Sequence, residues 1–277
     1  MLALGCGPRV VVDSDPEPAP RESLYRAGVL LRQGDPAAAR VAYAALLDAH
    51  PDSWGAARGV QDADRRLLAP DVFERRYREL RAESPEDPLT AYLYGRSRVE
   101  RREEAAAAFQ AAATGAPDNP WPLAGLAWLR AAEGDLFLAV ETYEQGLQRL
   151  PRSATLRYLL GNQLLSLRLV VEAERHLSFA RRLAPDDPQI LAALGKTWVE
   201  LGRKDQGAAL LEEALAADPT LADVALSLAG VALAARDPER AEALYRRALE
   251  GGMPPDEDLW GAIRAAKLVE SQRPSGT

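Results

Sequence analysis

The sequence predicts an all-α fold, a solenoid of stacked helix pairs, on three observations. Prolines recur at Pro51, Pro85, Pro117, Pro151, Pro185 and Pro219, at intervals of 34 residues with a single one of 32. Two columns of mostly small residues run ahead of them, and a large apolar residue stands four positions after the second column. Within each interval the apolar residues repeat at three, four and seven positions, the spacing of one face of a helix. A fixed period of this length marks supersecondary units that bury their apolar faces only by stacking on one another.

The first column reads Ala27, Gln61, Gly95, Ala127, Gly161, Gly195 and Ala229. The second reads Ala39, Phe73, Ala105, Ala139, Ala173, Gly207 and Ala241. Beside them stand Tyr43, Tyr77, Phe109, Tyr143, Leu177, Leu211 and Tyr245. Where two helices of a hairpin cross closely, a side chain larger than alanine pushes the axes apart. Gly or Ala therefore suits the crossing, and the aromatic or leucine fills the space next to it.

Seven units follow in order over residues 20–255. The first turns at Gly34-Asp35. The second keeps Tyr77 and Pro85 but has Gln61 and Phe73 in the small columns, so its hairpin is expected to open. The third is two residues short between Gly95 and Ala105, which truncates its turn or its first helix. The fourth carries Leu123, Leu126 and Ala127, breaks at Gly134-Asp135, and resumes with Ala139, Val140, Tyr143 and Leu147. The fifth closes at Pro185, the sixth turns at Gly202-Arg203, and the seventh turns at Arg236-Asp237-Pro238. A closing proline stops each second helix because it cannot continue the hydrogen-bond ladder.

After Met253-Pro254-Pro255, the acids Asp256, Glu257 and Asp258 open a helix predicted from about Leu259 to Glu270. Acid at its start and Lys267 near its end suit the helix dipole. Residues 256–270 are expected to form the cap that an open-ended stack requires, and 271–277 are expected to be a disordered tail.

Composition sets the outer limits of function. With 47% apolar and 27% charged residues, a substantial core is expected. Thirty-four Lys and Arg against 41 Asp and Glu give a net charge of −7, without a basic run to neutralise successive phosphates, so nucleic acid is not an expected partner. One cysteine allows neither an internal disulfide nor a cysteine-based zinc cluster. No run of about 18 apolar residues occurs, so no span of the bilayer is predicted. The sequence has two histidines, His50 and His176, no Gly-rich phosphate loop, no Gly-x-Ser-x-Gly and no His-Glu-x-x-His. Adjacent acids such as Glu103-Glu104 and Glu212-Glu213 point apart on their helices. No catalytic residues, metal site, cofactor or small-molecule substrate is expected, and the chain is not read as an enzyme.

The stretch LAGLAWLRAAEGDLFLAVETYEQGLQRLP, with Ala127, Ala139, Tyr143, Gly146 and Pro151, resembles the tetratricopeptide repeat family. The unit from Pro188, with Gly195, Gly207, Leu211, Ala214 and Pro219, resembles it equally. The resemblance extends from Pro20 to Pro255. It implies a right-handed superhelical solenoid of about seven helix hairpins, acting as a protein-binding adaptor whose first helices line a concave groove. Carried onto this chain, the groove positions are Arg58 and Asp62, Tyr92 and Arg96, Trp121 and Trp128, Tyr158 and Asn162, and Gln189 and Lys196. Tyr92, Trp121, Trp128 and Tyr158 are expected to form one aromatic patch, edged by Arg96, Asn162 and Lys196, as in a binding hot spot. The Lys/Asn carboxylate clamp of chaperone-binding relatives is not matched, because Tyr158 stands where that clamp has lysine.

The sole cysteine, Cys6, lies in LALGCG, which resembles the lipobox of bacterial lipoproteins at Leu4 and Gly5. The following GPRVVVDSDPEPAP is rich in proline and acid and suits a tether. Residues 1–19 are thus read as a signal remnant and tether, though only five residues precede Cys6, fewer than a secretory signal needs. The expected location is the bacterial envelope, lipid-anchored through Cys6 and facing the periplasm, in the assembly of an envelope complex. A cytoplasmic adaptor with an ordinary thiol is the alternative.

Overall fold

A computed structural model of the protein describes residues 19–271. Cys6, the lipobox-like stretch and the tail from 272 lie outside the described residues. Within them the chain forms fifteen helices and no strand. Seven hairpins follow in sequence: α1 (Arg21–Arg32) with α2 (Pro36–Ala49), α3 (Trp54–Leu67) with α4 (Pro70–Glu83), α5 (Pro88–Ser97) with α6 (Arg102–Gly115), and α7 (Pro120–Ala132) with α8 (Leu136–Arg149). They continue as α9 (Ala154–Ser166) with α10 (Val170–Leu183), α11 (Pro188–Glu200) with α12 (Lys204–Ala217), and α13 (Ala222–Ala234) with α14 (Pro238–Glu250). The last helix is α15 (Glu257–Ser271). None is long and apolar enough to cross a membrane.

Local chemistry sets the helix ends. Asp35, Ser53, Asp87, Asn119, Ser153, Asp187 and Asp237 each accept a hydrogen bond from a backbone N–H of the turn they open. Proline fills the first turn of α2, α4, α5, α7, α11 and α14, where its missing N–H costs nothing. Gly34, Gly134 and Gly202 take the positive φ that reverses the chain inside a hairpin. Arg168 and Arg236 do the same at φ 62° and 63°, which costs an L-residue about 1 kcal/mol.

The three columns read from the sequence form the core. Ala27, Gln61, Ala127 and Ala229 are at most 1% exposed, and Ala39, Ala105, Ala139, Ala173 and Ala241 are fully enclosed. Tyr43, Tyr77, Phe109, Tyr143, Leu177, Leu211 and Tyr245 are buried beside them. The crossing is close between α11 and α12, where a Cβ on Gly207 would stand 2.7 Å from the Gly195 carbonyl oxygen.

The two irregular units behave differently. In the third, the shortage falls on the first helix: α5 has 10 residues where α7 has 13. The tight turn that follows encloses Arg98, which pairs with Glu74 and lies 3.6 Å from Glu104. In the second, α3 and α4 barely touch; α3 packs on α2 instead, and α4 on α5. Polar contacts bridge the opened hairpin. Buried Asp64 accepts from Arg40 at 2.6 Å, from Arg76 at 3.0 Å and from the Tyr77 hydroxyl at 2.9 Å, and Gln61 donates to the Leu93 carbonyl at 2.7 Å.

The stack curves until its beginning meets its sixth unit. Tyr25 donates to the Ala217 carbonyl at 2.8 Å, and Arg32 reaches Asp218 and Thr220. At the far end, Trp260 of α15 stacks on Tyr245 with centroids 5.3 Å apart, and Ile263 is fully buried. This is the cap expected after Asp256.

Candidate functional site

The first helices of the units face inward and enclose two adjacent cavities. One, of 430 Å3, lies between α3, α5 and α7, with Arg58, Arg65, Tyr92, Arg96, Trp121 and Trp128 in its wall. The other, of 350 Å3, is walled by Trp121, Tyr158, Gln189 and Ile190 together with Arg21 and Leu24 of α1. Trp121 and Leu159 belong to both and stand between them.

Asn119 caps α7 and so places Trp121 at its first turn. The guanidinium of Arg58 lies over that indole, 3.3 Å from the ring centroid, a cation–π contact across the groove from α3 to α7. Burial lowers the pKa of Arg58. Arg96 pairs with Asp62 at 2.6 Å across α5 and α3, and Arg65 donates to the Arg96 carbonyl at 2.8 Å. Trp128, two helical turns beyond Trp121, is 51% exposed. A large indole left half in solvent on a concave wall is the composition of a binding surface rather than of a core.

Of the expected groove residues, Arg58, Tyr92, Arg96, Trp121 and Trp128 therefore meet around one cavity, with Asp62 held to it by its ion pair. Tyr158 faces the second cavity; its pKa is raised by burial, opposed by a hydrogen bond with Asn162. Gln189 borders that cavity too. Asn162 and Lys196 line neither, and Lys196 is engaged with Asp223.

One correction follows. Tyr92 is not a free ring of the groove: it is 3% exposed, wedged between Trp54 and Phe109 with centroids 5.1 and 5.6 Å away. The rings expected to form one patch line two cavities: Trp128 borders the first, Tyr158 the second, and Trp121 lies in the wall of both. Arg65 is an addition. It lies seven residues, two helical turns, after Arg58, so the same spacing that joins Trp121 to Trp128 could have found it.

Among the described residues no group of His, Cys, Asp or Glu is placed to hold a metal ion. Residues 22–53 and residues 192–257 each match a family model described as tetratricopeptide repeat. No curated protein matches the sequence. Among solved structures, the chain is similar to yeast Tom70, with TM-score 0.63 and 14% identity over 92% of this chain and 65% of that one. It is similar to a chain of the APC/C hetero-tetramer Cut9-Hcn1, with TM-score 0.61 and 17% identity over 89% of this chain, and spans 49% of that chain's length. A tetratricopeptide repeat protein from Parabacteroides merdae ATCC 43184 aligns with TM-score 0.55 and 14% identity over 89% of this chain and 98% of its own. At these identities the likeness concerns the fold. The chain carries tetratricopeptide repeats and folds through its described length as a tetratricopeptide repeat solenoid, an architecture that supports a protein-interaction adaptor role.

Proposed function

We propose that this protein is a non-catalytic adaptor that holds a segment of a partner protein in the concave groove of units two to four. The observation that carries this reading is Trp128, half-exposed on the wall of a 430 Å3 cavity that Arg58, Arg65, Arg96 and the Trp121 indole also border. Central aromatics of such a surface each contribute about 2 kcal/mol or more to binding. Trp128 adds less to the fold than an enclosed ring does, since half its surface already meets solvent. Replacing Trp128 with a photo-crosslinking phenylalanine derivative should trap a defined partner in the native cell. The same substitution at Glu144, exposed on the second helix of unit four, should not. Equal trapping at both positions would refute a groove-bound partner.

We further propose that the adaptor is anchored by lipid on Cys6 to the bacterial envelope, facing the periplasm, and takes part in assembling an envelope complex. The lipobox-like LALGCG and the proline- and acid-rich stretch after it support this. Stable anchoring takes more than one acyl chain, which the bacterial modification supplies. With the full gene in its native host, Cys6→Ser should move the protein from the membrane to the soluble fraction. Wild-type protein that is soluble and unmodified there would end the anchor reading and leave the cytoplasmic adaptor.

A further inference from the structure

The cavity between α3, α5 and α7 is positively charged inside a chain whose net charge is −7. Three guanidinium groups border it, Arg58 and Arg65 from α3 and Arg96 from α5, and Asp62 pairs with Arg96 alone. Their donors are not used up. Arg58 Nε and Arg96 Nη1 are both buried, and neither has a hydrogen-bond partner among the described residues. A buried donor on a charged group is costly to leave unpaired, because it has given up water and gained nothing. The Arg58 side chain is also held in place, its guanidinium over the Trp121 ring, so little freedom is lost when an anion arrives.

The remaining wall is apolar. Phe109, Ala124, Gly125 and Leu159 line it, and Trp128 stands at its side, half in solvent. The ligand that satisfies both halves carries a carboxylate next to a large apolar group. A volume of 430 Å3 is within the range of ligand pockets, about 300–1,000 Å3, and admits a few side chains of an extended segment. A nucleic-acid backbone would need a basic track leading away along the groove. Here the cations farther along the first helices are already engaged: Arg130 donates to the Thr142 hydroxyl, Arg157 to the Pro151 carbonyl, and Lys196 pairs with Asp223.

We propose that this cavity binds an acidic segment of a partner protein, with one Asp or Glu carboxylate received by Arg58 and Arg96 and a neighbouring apolar side chain packed on Trp128. This rests on the adaptor reading and adds the chemical class of the segment. The carboxylate is a side chain, so the segment needs no free C-terminus.

Selection of random peptides displayed on phage against the full chain, followed by titration of the selected sequences as synthetic peptides blocked at both ends, tests the assignment. Selected peptides should be enriched in Asp and Glu beside Leu, Phe or Trp. Arg58→Gln should weaken them roughly tenfold or more, the effect of removing a charge-assisted contact. Asp62→Asn should tighten them, since it frees Arg96, and a gain in affinity cannot come from a damaged fold. Peptides selected without acid enrichment, or acidic peptides indifferent to both substitutions, would overturn the proposal and leave the adaptor reading standing. Displacement of the peptides by inorganic phosphate or a single-stranded oligonucleotide at matching concentration would overturn the choice of a protein segment. A selection that yields no binder to the folded wild-type chain would sink the adaptor reading itself.

Discussion

Arg32, in the first helix, donates to the carboxylate of Asp218 at 2.7 Å, joining residues 186 positions apart. Arg32 Nε also reaches the Thr220 hydroxyl at 2.9 Å, and Tyr25 holds the Ala217 carbonyl. Asp218 is wholly enclosed, so Arg32 satisfies a carboxylate that has no access to water. The contact joins the first helix to the end of the sixth unit across the curl of the solenoid. Arg32→Ala should remove about 2–3 kcal/mol of stability, because it strands a buried carboxylate that keeps the Thr220 donors but loses its cation. It should also lengthen the distance between probes on α1 and α13 measured by electron–electron resonance. An unchanged distance distribution would show that the curvature is set by the unit interfaces alone.

The same junction responds to alkali. Tyr25 has its pKa pushed up to about 12, by burial first and then by Asp218, and Tyr143 is pushed up to about 12 by burial. A folded-state pKa raised above the unfolded value of about 10 means that folding favours the protonated phenol. The associated stability is complete below about pH 10 and is lost as pH rises towards 12. Urea midpoints should therefore fall across that interval, and the phenolate absorbance of the folded chain should lag behind that of the unfolded one. Coincident phenolate titrations of folded and unfolded chain would contradict the buried hydroxyls.

Core and groove separate cleanly in substitution. Tyr92, enclosed by Trp54 and Phe109, should cost about 3–4 kcal/mol on replacement by Ala, as large aromatics do in packed interiors. Trp128→Ala should lower the melting temperature less than Tyr92→Ala does while reducing partner capture. The converse pattern, a stable Tyr92→Ala and an unfolded Trp128→Ala, would reverse the assignment of the two rings.

This contrast marks what the sequence made legible. The period, the crossing columns and the cap could be read because burial at each column depends on neighbours at fixed spacing, and the residue types answer to that burial directly. Gln61 and Phe73 announced the open second hairpin for the same reason. Tyr92 was misplaced because a repeat position names a helix face without naming what comes to cover it. Here Trp54 arrives from α3 and Phe109 from α6. The approach of α1 to Asp218 and to the second cavity left no local trace, since it follows from small rotations accumulated over six units. Arg65 was legible and overlooked, seven residues beyond Arg58 on the same face.

The cap limits unravelling at the C-terminal end. Removing residues 257–277 strips Ile263 and Trp260 from the apolar face formed by Tyr245, Leu244 and Leu249, and also the Lys267 contact to Glu242. Each unit of a solenoid is supported by its neighbours, so loss should spread inward from that edge. Amide exchange in α13 and α14 of the truncated chain should become faster than in α7 and α8. Uniform exchange across the stack would indicate a cooperative unit spanning all seven hairpins.

Asp64 holds the weakest hairpin together. In the other units the first and second helices pack through Gly and Ala at the crossing, but in unit two Gln61 and Phe73 keep the axes apart. The gap is closed by a single carboxylate that is 1% exposed and takes donors from three directions: Arg40 on α2, and Arg76 and Tyr77 on α4. Removing one member of such a network leaves the others without a partner, and both arginines are exposed enough to find water while the Tyr77 hydroxyl is not. Asp64→Asn keeps the volume but replaces the accepting carboxylate by a neutral amide, so the loss should be about 2 kcal/mol, short of the 3–5 kcal/mol seen when a fully buried pair is broken. Pairing it with Tyr77→Phe should give less than the sum of the two single losses, because both act on one hydrogen bond. Additive losses in denaturant unfolding would show that Tyr77 and Asp64 stabilise the hairpin independently, and that packing of Phe73, rather than this network, sets the geometry of α3 and α4.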